Sequence, residues 1–277
     1  MNKNISSLVV ESNKRCLGYR KRILDISQKV KALHAAGAFS SMEMLDVIYF
    51  SLMKKKENGK IKDTFLMSKG HSSIAQYVIL EYLGILSRKD LDTYCTHNGR
   101  LGAHPDYGTP GIEASTGSLG HGMGLAVGMA LADLIKKKNC KIFLMISDGE
   151  LQEGSTWENM MMAANLNLTN LVCFLDHNGS QSFGHTKETH PKFYPIKEKI
   201  TAFGWECVEA NGHDQEDLIK KFNNRNGNKP FMIIGNTIKG KGVSFMENKP
   251  IWHYRSPNKE EYKIAINELN LQISDEK

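Results

Sequence analysis

The sequence predicts an α/β fold, a doubly wound and mostly parallel sheet flanked by helices. Three observations point there. Lys141–Ile146 and Leu171–Leu175 are short apolar runs that stop abruptly at turn residues, as strands buried on both faces do. A helical stretch from about Glu153 to Leu166 separates them, which is the spacing of a βαβ unit. No internal repeat or linker interrupts the chain, so residues 1–277 are expected to form a single domain, with 1–10 and 258–277 as peripheral tails.

The elements follow in order. Leu17, Ile23, Leu24, Val30 and Leu33 trace a helical stripe between Glu11 and Ala36, with Gly37 as its stop. Ser40-Ser41-Met42-Glu43 has the spacing of a capping box and predicts a helix through Met53. Phe65–Met67 is a strand running into Ser68-Lys69-Gly70-His71, and a helix continues to Leu83. Ser87-Arg88-Lys89-Asp90 caps the next helix. From Asn98 to Gly117 the chain is rich in glycine and proline and is read as an irregular functional loop. Gly117-Ser118-Leu119-Gly120-His121-Gly122-Met123-Gly124 opens a helix reaching about Lys136. Its glycines lack the preceding strand that a dinucleotide loop requires, so that reading is dropped. After the βαβ unit come helices near 193–203 and 215–222, and strands at Trp205–Val208 and Phe231–Gly235. The tail from Pro257 reads as an amphipathic surface helix, and Met160, Met161 and Met162 as core filler.

Composition narrows the class. The chain is 40% apolar and 24% charged, with a net charge of +6, which describes an ordinary globular protein. Lys54–Lys56 and Lys136–Lys138 lie near helix ends and lack interleaved aromatics, so no nucleic acid is expected as a partner. Five scattered cysteines without a CxxC pair imply reduced thiols. No signal-peptide core and no apolar run near ~18 residues is present, so a cytoplasmic protein with no membrane contact is expected.

The chemistry concentrates at the ends of the two central strands. Asp148 and Asn178 would sit at neighbouring strand mouths, where open α/β sheets bind ligands. One carboxylate, one amide oxygen and a nearby loop carbonyl suit a hard divalent cation such as Mg²⁺. A carboxylate about 4 Å from a phosphate charge is repelled by roughly 4 kcal/mol at an effective dielectric near 20, so an acid at a phosphate site needs a cation between them. The following helix N-terminus offers further N–H donors to an anion. The same residues also read as two ordinary turns.

Asp148-Gly149, then 28 residues, then Asn178 resembles the thiamine diphosphate motif, and Gly149-Glu150-Leu151-Gln152-Glu153-Gly154 with Trp157-Glu158 resembles its transketolase version. Further blocks match in order: Ser68–His71, Ala103-His104-Pro105-Asp106, Thr109–Gly124, Lys239-Gly240-Lys241-Gly242 and Trp252-His253. The resemblance implies the diphosphate-binding domain of the thiamine diphosphate fold, with Asp148, Asn178 and the Ser180 carbonyl holding Mg²⁺ (or Ca²⁺ or Mn²⁺). It places His71, Gly117, Ser118, Leu119, Asp148, Gly149, Glu150, Asn178, Lys239 and His253 at the cofactor, and His34, His71, His104 and His253 as catalytic. Glu113, Glu153 and Glu158 would line the interface between subunits. The chain ends where the family's diphosphate-binding domain ends, so the resemblance implies the N-terminal subunit of a split transketolase. The partner would be a C-terminal subunit with the pyrimidine-binding domain and its activating glutamate. The pair would assemble as a heterotetramer and transfer a two-carbon ketol unit between sugars or sugar phosphates.

The departures gather where substrate would sit. Ser147 replaces the first motif glycine, Phe183-Gly184 replaces an Asp-Gly, and His121 stands where the family often has Gln. Ala32–Ser40 loses the family's proline and gains Phe39, and Trp252-His253-Tyr254-Arg255 replaces a His-Gly. These changes leave open a specialised transferase moving glycolaldehyde or acetyl onto an unusual sugar. The readings from other classes are the E1 α subunit of a 2-oxo acid dehydrogenase and a non-catalytic regulatory subunit.

Overall fold

The computed structural model describes residues 5–30, 33–182 and 184–274. Ala32 and Phe183, two of the departures noted above, lie outside the described residues. Helix α1 (Ile5–Ser27) opens the chain, followed by the short helices α2 (Ala35–Ser40) and α3 (Met42–Val47). Strand β1 (Thr64–Met67) leads to α4 (Ser73–Tyr82), α5 (Arg88–Asp92) and α6 (His121–Ile135). Strand β2 (Ile142–Ser147), α7 (Gly154–Asn165) and β3 (Leu171–His177) form the central βαβ unit. A small ribbon of β4 (Ser180–Gln181) and β5 (Gly184–His185) follows, then α8 (Thr186–Thr189) and α9 (Ile196–Ala202). Strand β6 (Glu206–Asn211), α10 (Gln215–Asn223), β7 (Phe231–Asn236) and α11 (Lys259–Ser274) complete it.

Five strands pair in parallel in the order β1-β2-β3-β7-β6. Every residue of β2 is buried, and so is all of β3 before His177, because helices cover both faces. Phe143, Phe174 and Ile233 pack into one core with α1–α4, α10 and α11. Leu144, Cys173 and Met232 alternate onto the other face, against α6, α7 and α9. The two layers follow from handedness. The helices that lead directly into β2 and β3, α6 and α7, lie on one face, whereas the step back from β6 to β7 puts α10 on the other. The reversal leaves a crevice at the carboxyl ends of β3 and β7, where such sheets bind ligands.

Local chemistry moves several boundaries. The predicted 11–36 helix stops at Ser27, whose hydroxyl bonds the Leu24 carbonyl at 2.6 Å, and resumes as α2 only at Ala35. The capping box expected at Ser40–Glu43 does not form. Ser40 Oγ instead donates to Asp176 at 2.6 Å, and Glu43 turns to Arg20 and His213. The one at Ser87 does form, with Asp90 N–H donating to Ser87 Oγ at 3.2 Å and Ser87 N–H donating to Asp90 at 2.8 Å. Of the three methionines expected in the core only Met160 is buried; Met161 and Met162 are 47% and 50% exposed, since consecutive helical positions cannot share one face. Among the described residues no helix is long and apolar enough to cross a membrane.

Residues 258–277 were expected to be a peripheral tail, and here the structure differs. Ala265 and Leu269 of α11 are fully buried in the core shared with α1, and Tyr262 Oη donates to Asp25 at 2.6 Å. Leu269→Ala should therefore cost about 2–5 kcal/mol, as deletion of a buried leucine does. A urea midpoint within error of the parent would show that α11 is peripheral after all.

Candidate active site

The carboxyl ends of β1, β2, β3 and β7 converge on a cleft of about 360 Å³. Lys69 follows β1, Asp148 follows β2, Asn178 follows β3 and Lys239 lies three residues beyond β7. A larger groove of about 720 Å³ beside α1 and α4 carries no comparable set. Its arginines are already paired, Arg15 with Asp46 at 2.7 Å and Arg22 with Glu81 at 2.9 Å.

Asp148 is fully buried at the start of the turn after β2. Its carboxylate accepts the Gly149 N–H at 2.9 Å and the Gly179 N–H at 2.7 Å, which ties the two strand mouths together. Burial, reinforced by the nearby Asp176 carboxylate, pushes its pKa up to about 6. Asn178 is oriented by its own amide. Its Nδ2 donates to Asp176 at 3.2 Å and its Oδ1 accepts the Ser180 N–H at 3.1 Å. Asn178 and Ser180 both line the cleft, and Asp148 lies directly beneath it between the lining residues Ser147 and Gly149. No group of three or more His, Cys, Asp or Glu side chains among the described residues is placed to hold a metal. An ion here would rest on one carboxylate, one amide and one carbonyl oxygen, a hard-oxygen donor set. Among the described residues Asp148 is a buried carboxylate bonded only by backbone N–H groups, and with the Asn178 amide and the Ser180 carbonyl its chemistry fits a divalent cation.

Three imidazoles meet at the other end of the cleft. His34 lies 5.1 Å from His71 and 5.3 Å from His253 between ring centroids, and His71 and His253 are 6.0 Å apart. Burial lowers the pKa of His34 and of His253 to about 4, with neighbouring cations adding to the effect, and takes His71 well below its usual range. All three are neutral at physiological pH. Tyr254 covers His34 from outside at 4.5 Å. Lys239 is 2% exposed, and burial lowers its pKa to about 8. Among the described residues its ammonium meets only His253 Nδ1, at 2.8 Å.

His104 enters from the long loop, which is irregular as expected. Tyr77 Oη bonds the His104 carbonyl and Ser73 Oγ the Ala103 carbonyl, each at 2.9 Å. Gly117 (φ 142°) packs beneath the ring, and a Cβ there would come within 2.8 Å of His104 Cδ2, so this loop requires glycine. Leu119 and Gly149 line the cleft with Gly117, while Ser118 lines a separate hollow beside α6. Glu150 does not reach the cleft. Its carboxylate is buried between Ser68 Oγ and the Gly120 N–H, and burial raises its pKa. Glu153 lines the cleft edge; it, Glu158 and Glu113 are exposed.

The residue missed by motif reading is Asp176. It is fully buried and gathers Lys69 Nζ, Ser40 Oγ, Thr237 Oγ1 and Asn178 Nδ2 around one carboxylate. These contacts and the Lys69 ammonium hold its pKa below the usual range despite burial. A sequence signal did exist: an acid at the last buried position of an otherwise apolar strand.

The fold and cleft define the cofactor-binding half of a thiamine diphosphate enzyme. Residues 13–270 match the family described as "Transketolase, thiamine diphosphate binding domain", and the chain belongs to that family. It is 38% identical over 274 residues to an apulose-4-phosphate transketolase subunit from Phocaeicola vulgatus, covering 97% of this chain and 96% of that protein. It is also 38% identical over 259 residues to the 6-deoxy-6-sulfo-D-fructose transketolase subunit SqwG of a Clostridium species, covering 91% and 94%. Transketolase from Campylobacter jejuni superposes with a TM-score of 0.86 at 27% identity, covering 98% of this chain but 43% of that one. The chain thus matches subunit-sized relatives end to end and less than half of the full-length enzyme.

The pKa of Asp148 yields a measurable outcome in the metal-free protein. Its folded value lies above the ordinary 3.8, so the contribution of its protonated form is complete below about 4 and is lost as pH rises through 6. Asp148→Asn cannot ionise, so the variant should gain stability on the parent between pH 4 and 7, by about 3 kcal/mol at the limit. Thermal melts in chelator whose difference stays flat with pH would contradict the assignment.

Proposed function

We propose that this chain is the diphosphate-binding subunit of a split, thiamine diphosphate- and Mg²⁺-dependent transketolase that moves a two-carbon ketol unit between sugars. The observation that carries this reading is the convergence, in one cleft, of Asn178 and Lys239 with three neutral imidazoles, with buried Asp148 between the lining residues Ser147 and Gly149. Asp148, Asn178 and the Ser180 carbonyl would hold Mg²⁺, and Lys239 with Gly117, Leu119 and Gly149 would meet the diphosphate. When bound, the cofactor supplies the carbon nucleophile that accepts and hands on the two-carbon unit. The chain's own residues do the rest. Neutral His34, His71 and His253 can each accept or donate a hydrogen bond to a sugar hydroxyl without repelling Lys239. His104, on its braced loop, would position the donor and shuttle a proton. Glu150 acts indirectly, by holding the Gly120 N–H in the loop before α6.

The relatives named for apulose 4-phosphate and for a sulfonated fructose favour an anionic ketose, with Tyr254 beside His34 at the substrate end. The partner would be a cytoplasmic C-terminal subunit carrying the pyrimidine half of the site. Exposed Glu113, Glu153 and Glu158 would contribute to a heterotetramer.

Two measurements test the reading. With its partner, the complex should bind thiamine diphosphate only with a divalent ion, and Asp148→Ala should abolish binding while the fold persists. Unchanged calorimetric affinity in that variant would sink the metal assignment. His104→Ala should slow transfer by about 10²–10⁴ with little change in cofactor affinity. Equal losses on hydroxylated and deoxygenated donors would refute the hydroxyl contact, and turnover with a lipoyl acceptor would move the protein to the 2-oxo acid dehydrogenases.

A further inference from the structure

His213 lies outside the cleft, in the turn between β6 and α10, yet its ring is held at both ends. Nδ1 is 2.8 Å from Glu43 Oε2, and Nε2 accepts the backbone N–H of Ile238 at 2.8 Å. Because Nε2 accepts, Nδ1 carries a proton and donates it to Glu43. Glu43 is itself clamped. Arg20 reaches Oε1 at 2.6 Å and Oε2 at 2.9 Å, and donates a further bond to the Phe39 carbonyl at 2.8 Å. Arg20 and His213 hold the Glu43 pKa down at about 2 against its burial, which keeps the acceptor ionised. The approach is tight: a Cβ on Gly212 would meet Thr237 Cγ2 at 2.3 Å.

The residue after Ile238 is Lys239. Among the described residues its ammonium bonds only to His253, so the side chain's place depends on where the backbone delivers it. That backbone is pinned at Thr237 by the His177 carbonyl, with the Thr237 hydroxyl held by Asp176, at Ile238 by His213, at the Lys239 carbonyl by the Asn248 N–H and at Gly240 by the Ala36 carbonyl. His213 supplies the side-chain pin on the amino-terminal side of the lysine, while Asn248 and Ala36 hold its carboxyl side by backbone bonds.

We propose that His213 is a positioning residue: fixed by the Glu43–Arg20 pair, it holds the Ile238 N–H and so sets Lys239 where an anionic diphosphate is met. Arg20 thereby serves two arms of the cleft, the 34–40 segment through Phe39 and the 237–240 segment through Glu43 and His213. The diphosphate part of this statement rests on the function proposed above; the placement of Lys239 does not.

The test separates the two. On the full chain, the titration of Lys239 is followed by pH-dependent acylation and peptide mapping, and Mg²⁺-supported binding of inorganic diphosphate by calorimetry. In His213→Phe the lysine loses its fixed burial, and its midpoint should rise by about one unit from a starting value near 8. Diphosphate affinity should fall by about tenfold, the order that a misplaced charged hydrogen bond costs. His213→Gln, which keeps a donor for Glu43 and an acceptor for Ile238, should restore most of both. An unchanged Lys239 midpoint in a folded His213→Phe protein overturns the proposal, as does a His213→Gln protein no better than the phenylalanine variant. If the phenylalanine variant does not fold, Glu43→Gln takes its place with the same rise required. A midpoint that shifts as expected in a parent chain that binds no diphosphate would leave the positioning intact and remove the cofactor reading.

Discussion

The cleft depends on one buried ion pair, Lys69 with Asp176. Both are essentially inaccessible, 1% and 0% exposed. Lys69 also donates to the Gly37 carbonyl at 2.9 Å, while Asp176 takes Ser40, Thr237 and Asn178. One carboxylate thus joins α2, the end of β1, β3 and the loop after β7, the elements that deliver His34, His71, Asn178 and Lys239. Removing one member of a buried, fully bonded pair strands the other charge at a cost of about 3–5 kcal/mol. Here that cost would fall on the geometry of every arm at once.

The same pair explains the unequal behaviour of two neighbouring carboxylates. Asp176 has a cation and three other donors, and its pKa is lowered. Asp148 accepts two backbone N–H groups, and burial, reinforced by the Asp176 charge, raises its pKa. Environments that push similar groups apart assign them different tasks. Asp176 is satisfied by side-chain donors, whereas among the described residues Asp148 is hydrogen-bonded by backbone N–H groups alone.

Much of this was legible in the sequence, because parallel strands buried on both faces announce themselves as unbroken apolar runs. Lys141–Ile146 and Leu171–Leu175 fall within one residue of β2 and within β3. Asp148 and Asn178 could be placed at strand mouths because register follows from the βαβ unit. What escaped the reading depends on pairing between distant segments. Ser40 and Glu43 have capping-box spacing, but long-range partners, Asp176 for one and Arg20 with His213 for the other, outcompete the local bonds. Glu150 sits inside the matched motif yet faces Ser68, because only packing decides which way a side chain turns. Burial of Leu269 is invisible until α1 is known to lie beside α11.

The reversal of strand order has a kinetic meaning. The step from β3 to the edge strand β6 and back to β7 makes Asn178 and Lys239 neighbours only after a distant stretch of chain has docked. His253 joins His34 across nearly the whole sequence. Folds dominated by such non-local pairings form slowly, since loop-closure entropy is lost before contacts compensate for it. During synthesis β1, β2 and β3 would have emerged while the cleft still lacked its lysine and third imidazole. The site therefore comes into being as one of the last events of folding, and a chain interrupted before β7 is a scaffold without chemistry.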